Sequence, residues 1–237
     1  MGSTFLIIMS DTILSKLNPT QKEAVLWPKE TPLLVLAGAG SGKTRILTHR
    51  IAHLVRDGVP GFHILGVTFT NKAAGEMRAR VQKLVAQQVW ISTFHSTCLR
   101  VLRQDGAAIG IDPKFVIYDE YDQLQLIKEC VKELNLDEKR AHPKGIREEI
   151  QRAKDHLVTP FQYAEKAADL FQDAAAKAYL LYEEKLRKLK ACDFGDLIMK
   201  TVALFDRAPE VLKAWQNRFH HILIDEYQDT NHAQYRL

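Results

Sequence analysis

Two kinds of stretch alternate along this chain. One is a short apolar run of strand length: Leu33-Leu34-Val35-Leu36, Ile64-Leu65-Gly66-Val67-Thr68-Phe69, Val89-Trp90-Ile91-Ser92-Thr93 and, near the end, His221-Ile222-Leu223-Ile224. The other carries apolar side chains at helical spacing, as over 43–55 with Ile46, Leu47, Ile51 and Leu54. Asn18 as N-cap and Pro19 at the first helical position open an earlier helix. Asp57-Gly58-Val59-Pro60-Gly61 stops the helix over 43–55. Further helices are expected over 73–85, from Phe94 onward, and from an Asp119 cap to about Leu134. Phe115-Val116-Ile117-Tyr118 reads as another strand. The alternation predicts an α/β fold, a parallel sheet with helices on both faces. Ligands of such sheets bind at the carboxyl ends of the strands. The loops at 37–44, 68–72 and 93–95 should therefore lie along one edge.

From about Asn135 to Lys190 the β-branched runs disappear, and 144–154, 160–168 and 172–190 read as helices of an insertion or subdomain. Asp193 then caps a helix through Phe194-Gly195-Asp196-Leu197. With 237 residues, 46% of them hydrophobic and 26% charged, the chain can fill the core of one or two domains. A net charge of +4 permits a nucleic-acid partner without requiring one. Cys98, Cys130 and Cys192 are far apart and form no CxxC pair, which fits a reducing cytoplasm. His220 and His221 would point to opposite faces of a strand, so metal ligation by histidine is set aside. No stretch reaches the roughly 18–20 apolar residues of a membrane span, so no membrane role is expected. Phe5-Leu6-Ile7-Ile8-Met9 lacks the basic start and cleavage site of a signal peptide. It reads as a cloning remnant ahead of a natural start at Met9, or as an N-terminal strand.

The chemistry concentrates where the first apolar run ends. Ala37-Gly38-Ala39-Gly40-Ser41-Gly42-Lys43-Thr44 follows the phosphate-loop pattern G-x-x-x-x-G-K-[ST], except that Ala37 replaces the first glycine. A phosphate must approach successive backbone N–H groups, and small residues leave room for it. The helix that follows adds free N–H groups and the positive end of its dipole. Lys43 would reach the terminal phosphates, and Thr44 would offer its hydroxyl to Mg²⁺. The last apolar run ends in Asp225-Glu226. An Asp at a strand end can hold Mg²⁺ through water, and a neighbouring Glu can orient or deprotonate the attacking water. Asn71-Lys72 hints at the guanine-reading N-K-x-D pattern, but Ala74 stands where Asp is needed, so ATP is favoured over GTP. Gln21 carries an amide that could both donate to and accept from an adenine edge, or could be an ordinary surface side chain.

These residues, in this order, resemble the N-terminal part of UvrD/Rep/PcrA-type superfamily-1 DNA helicases. Leu17-Asn18-Pro19-Thr20-Gln21 looks like the Q motif and 37–44 like the family's Walker A motif, which tolerates Ala37. Thr68-Phe69-Thr70-Asn71-Lys72-Ala73-Ala74 is similar to motif Ia, and Ser92-Thr93-Phe94-His95-Ser96 to motif Ib. Asp225-Glu226-Tyr227-Gln228-Asp229-Thr230-Asn231 is similar to motif II. Asp193-Phe194-Gly195-Asp196-Leu197 resembles a family segment that has Asp where this chain has Gly195.

The resemblance implies a RecA-like P-loop NTPase sheet over 17–103 and 191–237, a helical insertion over 104–190, and a tail over 1–16 that is partly tag-derived. It implies ATP and Mg²⁺ as cofactors. Gln21 and Arg45 would contact adenine, and Gly38, Ala39, Gly40, Ser41, Gly42, Lys43 and Thr44 the phosphates. Thr44 and Asp225 would hold the metal, Glu226 would be the general base, and Gln228 would sense the γ-phosphate or the attacking water. Phe69, Thr70, Asn71, Lys72, Thr93, Phe94 and His95 would touch single-stranded DNA, with single/double-strand junctions as the working substrate and 3′-to-5′ polarity. The competing reading of Phe94 is core packing. The chain stops just past motif II. A second motor domain bearing motifs III to VI and the arginine that completes the ATP site would follow, so this polypeptide alone is expected to bind ATP weakly and not to unwind DNA. A small kinase, a nucleotide-switched module without motor activity, and the helicase part of a helicase–nuclease remain as alternatives.

Overall fold

The computed structural model describes residues 13–38, 40–137 and 141–237. The run Phe5–Met9 and the loop residue Ala39 lie outside the described residues. In chain order the main elements are α1 (Pro19–Leu26), α2 (Lys43–Arg56), β1 (Ile64–Thr68), α3 (Asn71–Gln82), β2 (Trp90–Thr93) and α4 (Phe94–Asp105). Then come β3 (Val116–Tyr118), α5 (Glu120–Glu133), α6 (Pro143–Asp155), α7 (Pro160–Glu165), α8 (Leu170–Lys188) and β4 (Ala191–Asp193). The chain closes with α9 (Phe194–Arg207), α10 (Pro209–Arg218), β5 (His221–Ile224) and α11 (His232–Arg236). It divides into two compact units. The first takes the described residues up to Phe94 together with Lys213–Gln228, and the second takes His95–Leu212 and Asp229–Leu237.

The first unit is built on a parallel sheet in the order β2-β1-β5. Thr68 lies opposite Thr93, and Val67 opposite Ile224, so the carboxyl ends of all three strands share one edge. The middle strand, β1, is buried throughout, as a strand covered on both faces must be. Gly66 has a steric reason: a Cβ there would sit 3.1 Å from Ile91 Cγ1 and 3.5 Å from both Ile51 Cδ1 and Met77 Sδ. The bare glycine lets α2 and α3 close on the sheet, and Ile51, Leu54, Ile64, Met77, Val81 and Ile91 form the buried core. Around β2, Trp90 meets the rings of Trp215 and Phe219 edge-on, at 6.1 and 5.2 Å. On α2 a buried polar residue, Arg50, ties the helix to α1: it donates to the carbonyls of Val25 (2.9 Å), Trp27 and Pro28 (3.3 Å).

Two strand expectations are corrected. Leu33-Leu34-Val35-Leu36 joins no ladder among the described residues. Val35 packs inward on Leu17, Val25 and Ile46, whereas Leu34 is 63% and Leu36 86% exposed. An apolar run is stable as an inner strand only when both its faces and its hydrogen-bonding edges are covered, and here one face is bare. The second correction concerns β3. It pairs in parallel with β4, with Ile117 opposite Cys192, in a separate two-stranded sheet of the second unit. It does not extend the main sheet.

The second unit is mainly helical, with α5, α6 and α8 packed around Ile127, Cys130, Ile146, Tyr179, Tyr182 and Leu186. Lys154 on α6 is buried with them, 1% exposed. Its ammonium meets Glu183 Oε1 at 2.5 Å, Asp193 Oδ2 at 2.7 Å and Asp196 Oδ1 at 2.8 Å. Asp193 also caps α9, as its sequence position suggests, and accepts from the Tyr182 hydroxyl at 2.9 Å. No helix among the described residues is long and apolar enough to cross a membrane.

Candidate active site

Helix α2 begins without a side-chain cap. Its N-cap is Gly42, in the left-handed region at φ 92°, so no side chain accepts from the first-turn N–H groups. Gly40 is also left-handed, at φ 75°. A side chain at position 42 would be strained and would also meet the Gln21 amide nitrogen at 2.9 Å. Within the loop, the Ser41 hydroxyl donates to the Gly38 carbonyl at 2.7 Å. Gln21 reaches the loop from α1: its amide donates to the Ser41 carbonyl at 2.9 Å and accepts from the Asn18 N–H at 3.2 Å. Its polar ends are used, in this state, to tie the Q-motif turn to the phosphate loop. Arg45 is exposed and donates, at a long 3.5 Å, to the Lys16 carbonyl.

The acidic pair comes to the same place. Thr44 Oγ1 donates to Asp225 Oδ2 at 3.2 Å, across 181 positions of sequence. Lys43 Nζ lies 3.4 Å from Glu226 Oε2, with side chains 30% and 43% exposed. The position of the pair is fixed by β5, since the Asp225 N–H donates to the Val67 carbonyl at 2.9 Å and continues the ladder with β1. Glu226 then takes a left-handed conformation, φ 51°, unusual for a residue with a side chain. Such backbone outliers collect where a side chain must be aimed. Gln228 donates to Glu226 Oε2 at 2.5 Å.

These contacts set the two carboxyls apart. Burial pushes the Asp225 pKa up, the Thr44 hydrogen bond opposes this, and the Glu226 charge adds to it. Glu226 is pulled down, first by the Gln228 hydrogen bond and then, against a little desolvation, by Lys43. A half-buried Asp with a raised pKa beside a threonine hydroxyl is a site that a divalent cation would complete. Gly38, Gly40, Ser41, Gly42, Lys43, Thr44, Asp225, Glu226 and Gln228 share one corner of the first unit.

The residues expected to touch DNA divide by burial. Asn71 and Lys72 are exposed at the start of α3, and Thr70 spends its hydroxyl capping that helix, accepting from the Ala73 N–H at 3.1 Å. Phe69 is half-buried, its ring 5.7 Å edge-on from Phe94. Phe94 and Thr93 are buried, 5% and 6% exposed, which makes Phe94 the packing support of Phe69 rather than a surface for a base. In the second unit, His95 lies 5.8 Å edge-on from Phe194, which is 44% exposed. Burial lowers the His95 pKa, and Asp155 works against that. Phe194 had no role in the sequence reading. The available signal was an aromatic residue directly behind a helix N-cap, where a large apolar side chain can stand at the surface.

A parallel sheet, a glycine loop entering a helix and two carboxylates at the facing strand end define a P-loop α/β protein. The chain belongs to the UvrD/REP helicase family, matching the family's N-terminal domain over residues 17–237. Curated relatives carry the name ATP-dependent DNA helicase PcrA. One from Bacillus subtilis is 49% identical over 233 residues, covering 97% of this chain and 31% of the relative. One from Staphylococcus aureus is 48% identical over 231 residues, covering 96% and 32%. One from Leuconostoc citreum is 47% identical over 232 residues, covering 96% and 31%. The chain thus spans about a third of the length of the curated relatives it matches.

Proposed function

We propose that this chain is the ATP-binding part of a 3′-to-5′ DNA helicase, with single-stranded DNA and single/double-strand junctions as its substrate. The observation that carries the reading is the convergence of Lys43 with Glu226 at 3.4 Å and of Thr44 with Asp225 at 3.2 Å. The names of the relatives support it. The residues fit Mg²⁺ and a nucleoside triphosphate: an uncapped helix start, a lysine, a hydroxyl and a raised carboxyl. Bound Mg²⁺ supplies charge neutralisation between the phosphates. Thr44 and Asp225 would hold it, Lys43 would bind the terminal phosphate, and Gln21 and Arg45 would face the adenine. Glu226 is the base. While Lys43 and Gln228 hold its carboxylate, its basicity is lowered. Moving Lys43 onto a phosphate releases one of these restraints, so Glu226 becomes competent to take a proton from water as the site fills. DNA would lie against Phe69, Asn71 and Lys72, and against His95 with Phe194, by stacking and phosphate contacts.

The test is ATP hydrolysis by the whole protein with and without single-stranded DNA, in wild type, Lys43→Ala and Glu226→Gln. DNA should stimulate the wild type. Glu226→Gln should keep ATP binding and lose turnover, and Lys43→Ala should weaken binding and lose turnover. Turnover by Glu226→Gln at the wild-type rate would sink the assignment.

A further inference from the structure

We propose that single-stranded DNA meeting Phe69, Asn71 and Lys72 continues along the exposed face of α3 and seats an unpaired base in a polar cleft beside the start of β2. The inference extends the DNA path read above and rests on it. The cleft measures about 210 Å³ and is lined by Arg78, Gln82, Gln87 and Gln88 over Val81 and Ile91, with no carboxylate among its lining residues. Its wall is fixed. The Gly61 N–H donates to Gln87 Oε1 at 2.9 Å, and a Cβ on Gly61 would collide with the Gln88 carbonyl. Arg78 Nη2 is anchored on the Ile91 carbonyl at 2.5 Å. The side chains of Gln82 and Gln88 are exposed and have no hydrogen-bond partner among the described residues, so a ligand can take them without breaking a contact of the fold.

Charge and continuity identify the occupant. α3 starts just past the carboxyl end of β1 and ends ahead of Trp90, the first residue of β2, which lies opposite Leu65. Its 12 residues therefore lead from the edge with the expected DNA contacts to the opposite edge, a distance of about 18 Å. Lys72, Glu76, Arg80 and Lys83 follow at helical spacing on one exposed face. The single acid there, Glu76, pairs with Arg80 at 3.4 Å through half-exposed side chains, an ion pair that a phosphate can replace at little cost. From Met77 to Ile91 the chain carries Arg78, Arg80 and Lys83 and no acidic residue. This cationic ridge, continuous with Asn71 and Lys72, suits a row of phosphates. The cleft at its end suits a base: glutamine amides both donate and accept, as a base edge requires, and the apolar floor takes a ring. A paired base has that edge occupied, so the occupant is a single strand.

The test is binding of oligothymidylate of about 12 nucleotides by the whole protein, titrated over a range of salt concentrations. The double variant Arg80→Gln/Lys83→Gln removes two phosphate contacts, so the log–log salt slope should become shallower by about 1.4. An unchanged slope with binding intact overturns the inference and leaves the DNA reading standing. Wild-type protein that binds no oligothymidylate overturns both. The control Lys128→Gln/Lys132→Gln removes the same charge from exposed positions of α5. An equal change of slope in the control would mean general attraction instead of a path, and overturns the inference. The cleft is tested by Gln82→Ala, with an abasic oligomer of equal length as comparison. Affinity for oligothymidylate should fall about 3–10-fold, the loss of one neutral hydrogen bond, and affinity for the abasic oligomer should not change. No loss, or equal loss on both, refutes the base site. Competition by free thymidine monophosphate as strong as by the oligomer would mean a mononucleotide site, which refutes the strand path.

Discussion

Lys43 and Lys154 both face carboxylates, and they do opposite work. Lys43 is 30% exposed and has one acidic contact, 3.4 Å from Glu226. Lys154 is 1% exposed and has three, at 2.5, 2.7 and 2.8 Å. The carboxylate oxygens of Glu183, Asp193 and Asp196 lie within 4.8 Å of one another, a spacing that could serve a metal ion, but the Lys154 ammonium fills the space between them. Burial alone pulls the Lys154 pKa down; Asp193, Asp196 and Glu183 together reverse this and raise it well above an ordinary lysine. Its charge is thus committed to the fold. At Lys43 the glycine loop and the uncapped helix leave donors facing solvent, and the one ion pair is long and half-exposed, of the kind that contributes little to stability. An incomplete, accessible cluster can exchange its partner for a ligand, whereas a complete and buried one cannot.

Exchanging the roles by mutation should give the largest effects. Lys154→Met leaves Asp193 without its ion-pair partner and Glu183 and Asp196 with Lys200 alone, at 3.7 and 2.8 Å, and breaking a buried ionic network in this way costs about 3–5 kcal/mol. Urea unfolding of the second unit would read it. Lys43→Ala should move stability by no more than about 0.5 kcal/mol. It should lower affinity for Mg²⁺-nucleotide by roughly 10–100-fold, the loss of one charged hydrogen bond. Equal stability losses in the two variants would break the comparison, because Lys43 would then be structural as well.

Gly195 sharpens it further. A Cβ there would lie 2.9 Å from Lys154 Cδ and 3.1 Å from its Cβ. Lys154 cannot swing aside, since its end is held by three carboxylates. This gives a physical reason for glycine where the resembling segment has Asp. In an exposed helix Gly→Ala stabilises by roughly 0.5–1 kcal/mol. Here Gly195→Ala should instead destabilise, by about 1–2 kcal/mol, as overpacking does. Combining it with Lys154→Met should cost less than the sum, a non-additivity expected of residues in contact. Additive losses would detach Gly195 from the lysine.

How much of this was legible in the sequence follows the same line. The phosphate loop and Asp225-Glu226 could be read because their chemistry fixes residue types at short spacing, and the α9 cap because Asp193 acts on a backbone three positions away. Long-range partners were not legible. Lys154 reads as one more charge on an amphipathic helix, and its carboxylates lie from 29 to 42 positions on. The run 33–36 was read as a strand from its apolarity, but pairing depends on what covers its faces. β4 is three residues long and carries no strand pattern, so its pairing with β3 could not be anticipated.

The smallest effect, and the most discriminating, is on pH dependence. Each cluster contains a carboxyl whose pKa is raised in the folded protein. For Glu183 burial is the first cause and the Asp196 charge the second, against Lys154 and Lys200. For Asp225 burial leads again, with Glu226 adding. A raised carboxyl binds its proton more tightly folded than unfolded. It therefore costs no stability below its ordinary pKa, and the penalty grows as pH rises from that value through the folded one. The ordinary values are 4.5 for Glu183 and 3.8 for Asp225. Asp196 has a lowered pKa, so its contribution is lost only as pH falls below 3.8 and does not overlap the window above 4.5. Glu183→Gln and Asp225→Asn should each raise stability near pH 7 and flatten its fall with pH. Mg²⁺-nucleotide separates them: it should neutralise the Asp225 penalty in the protein that retains this aspartate, and leave the Glu183 penalty unchanged. Thermal unfolding from pH 4.5 to 7.5, with and without Mg²⁺-nucleotide, makes the distinction, and a nucleotide effect on the Glu183 slope would show that the buried cluster is not closed to the ligand after all.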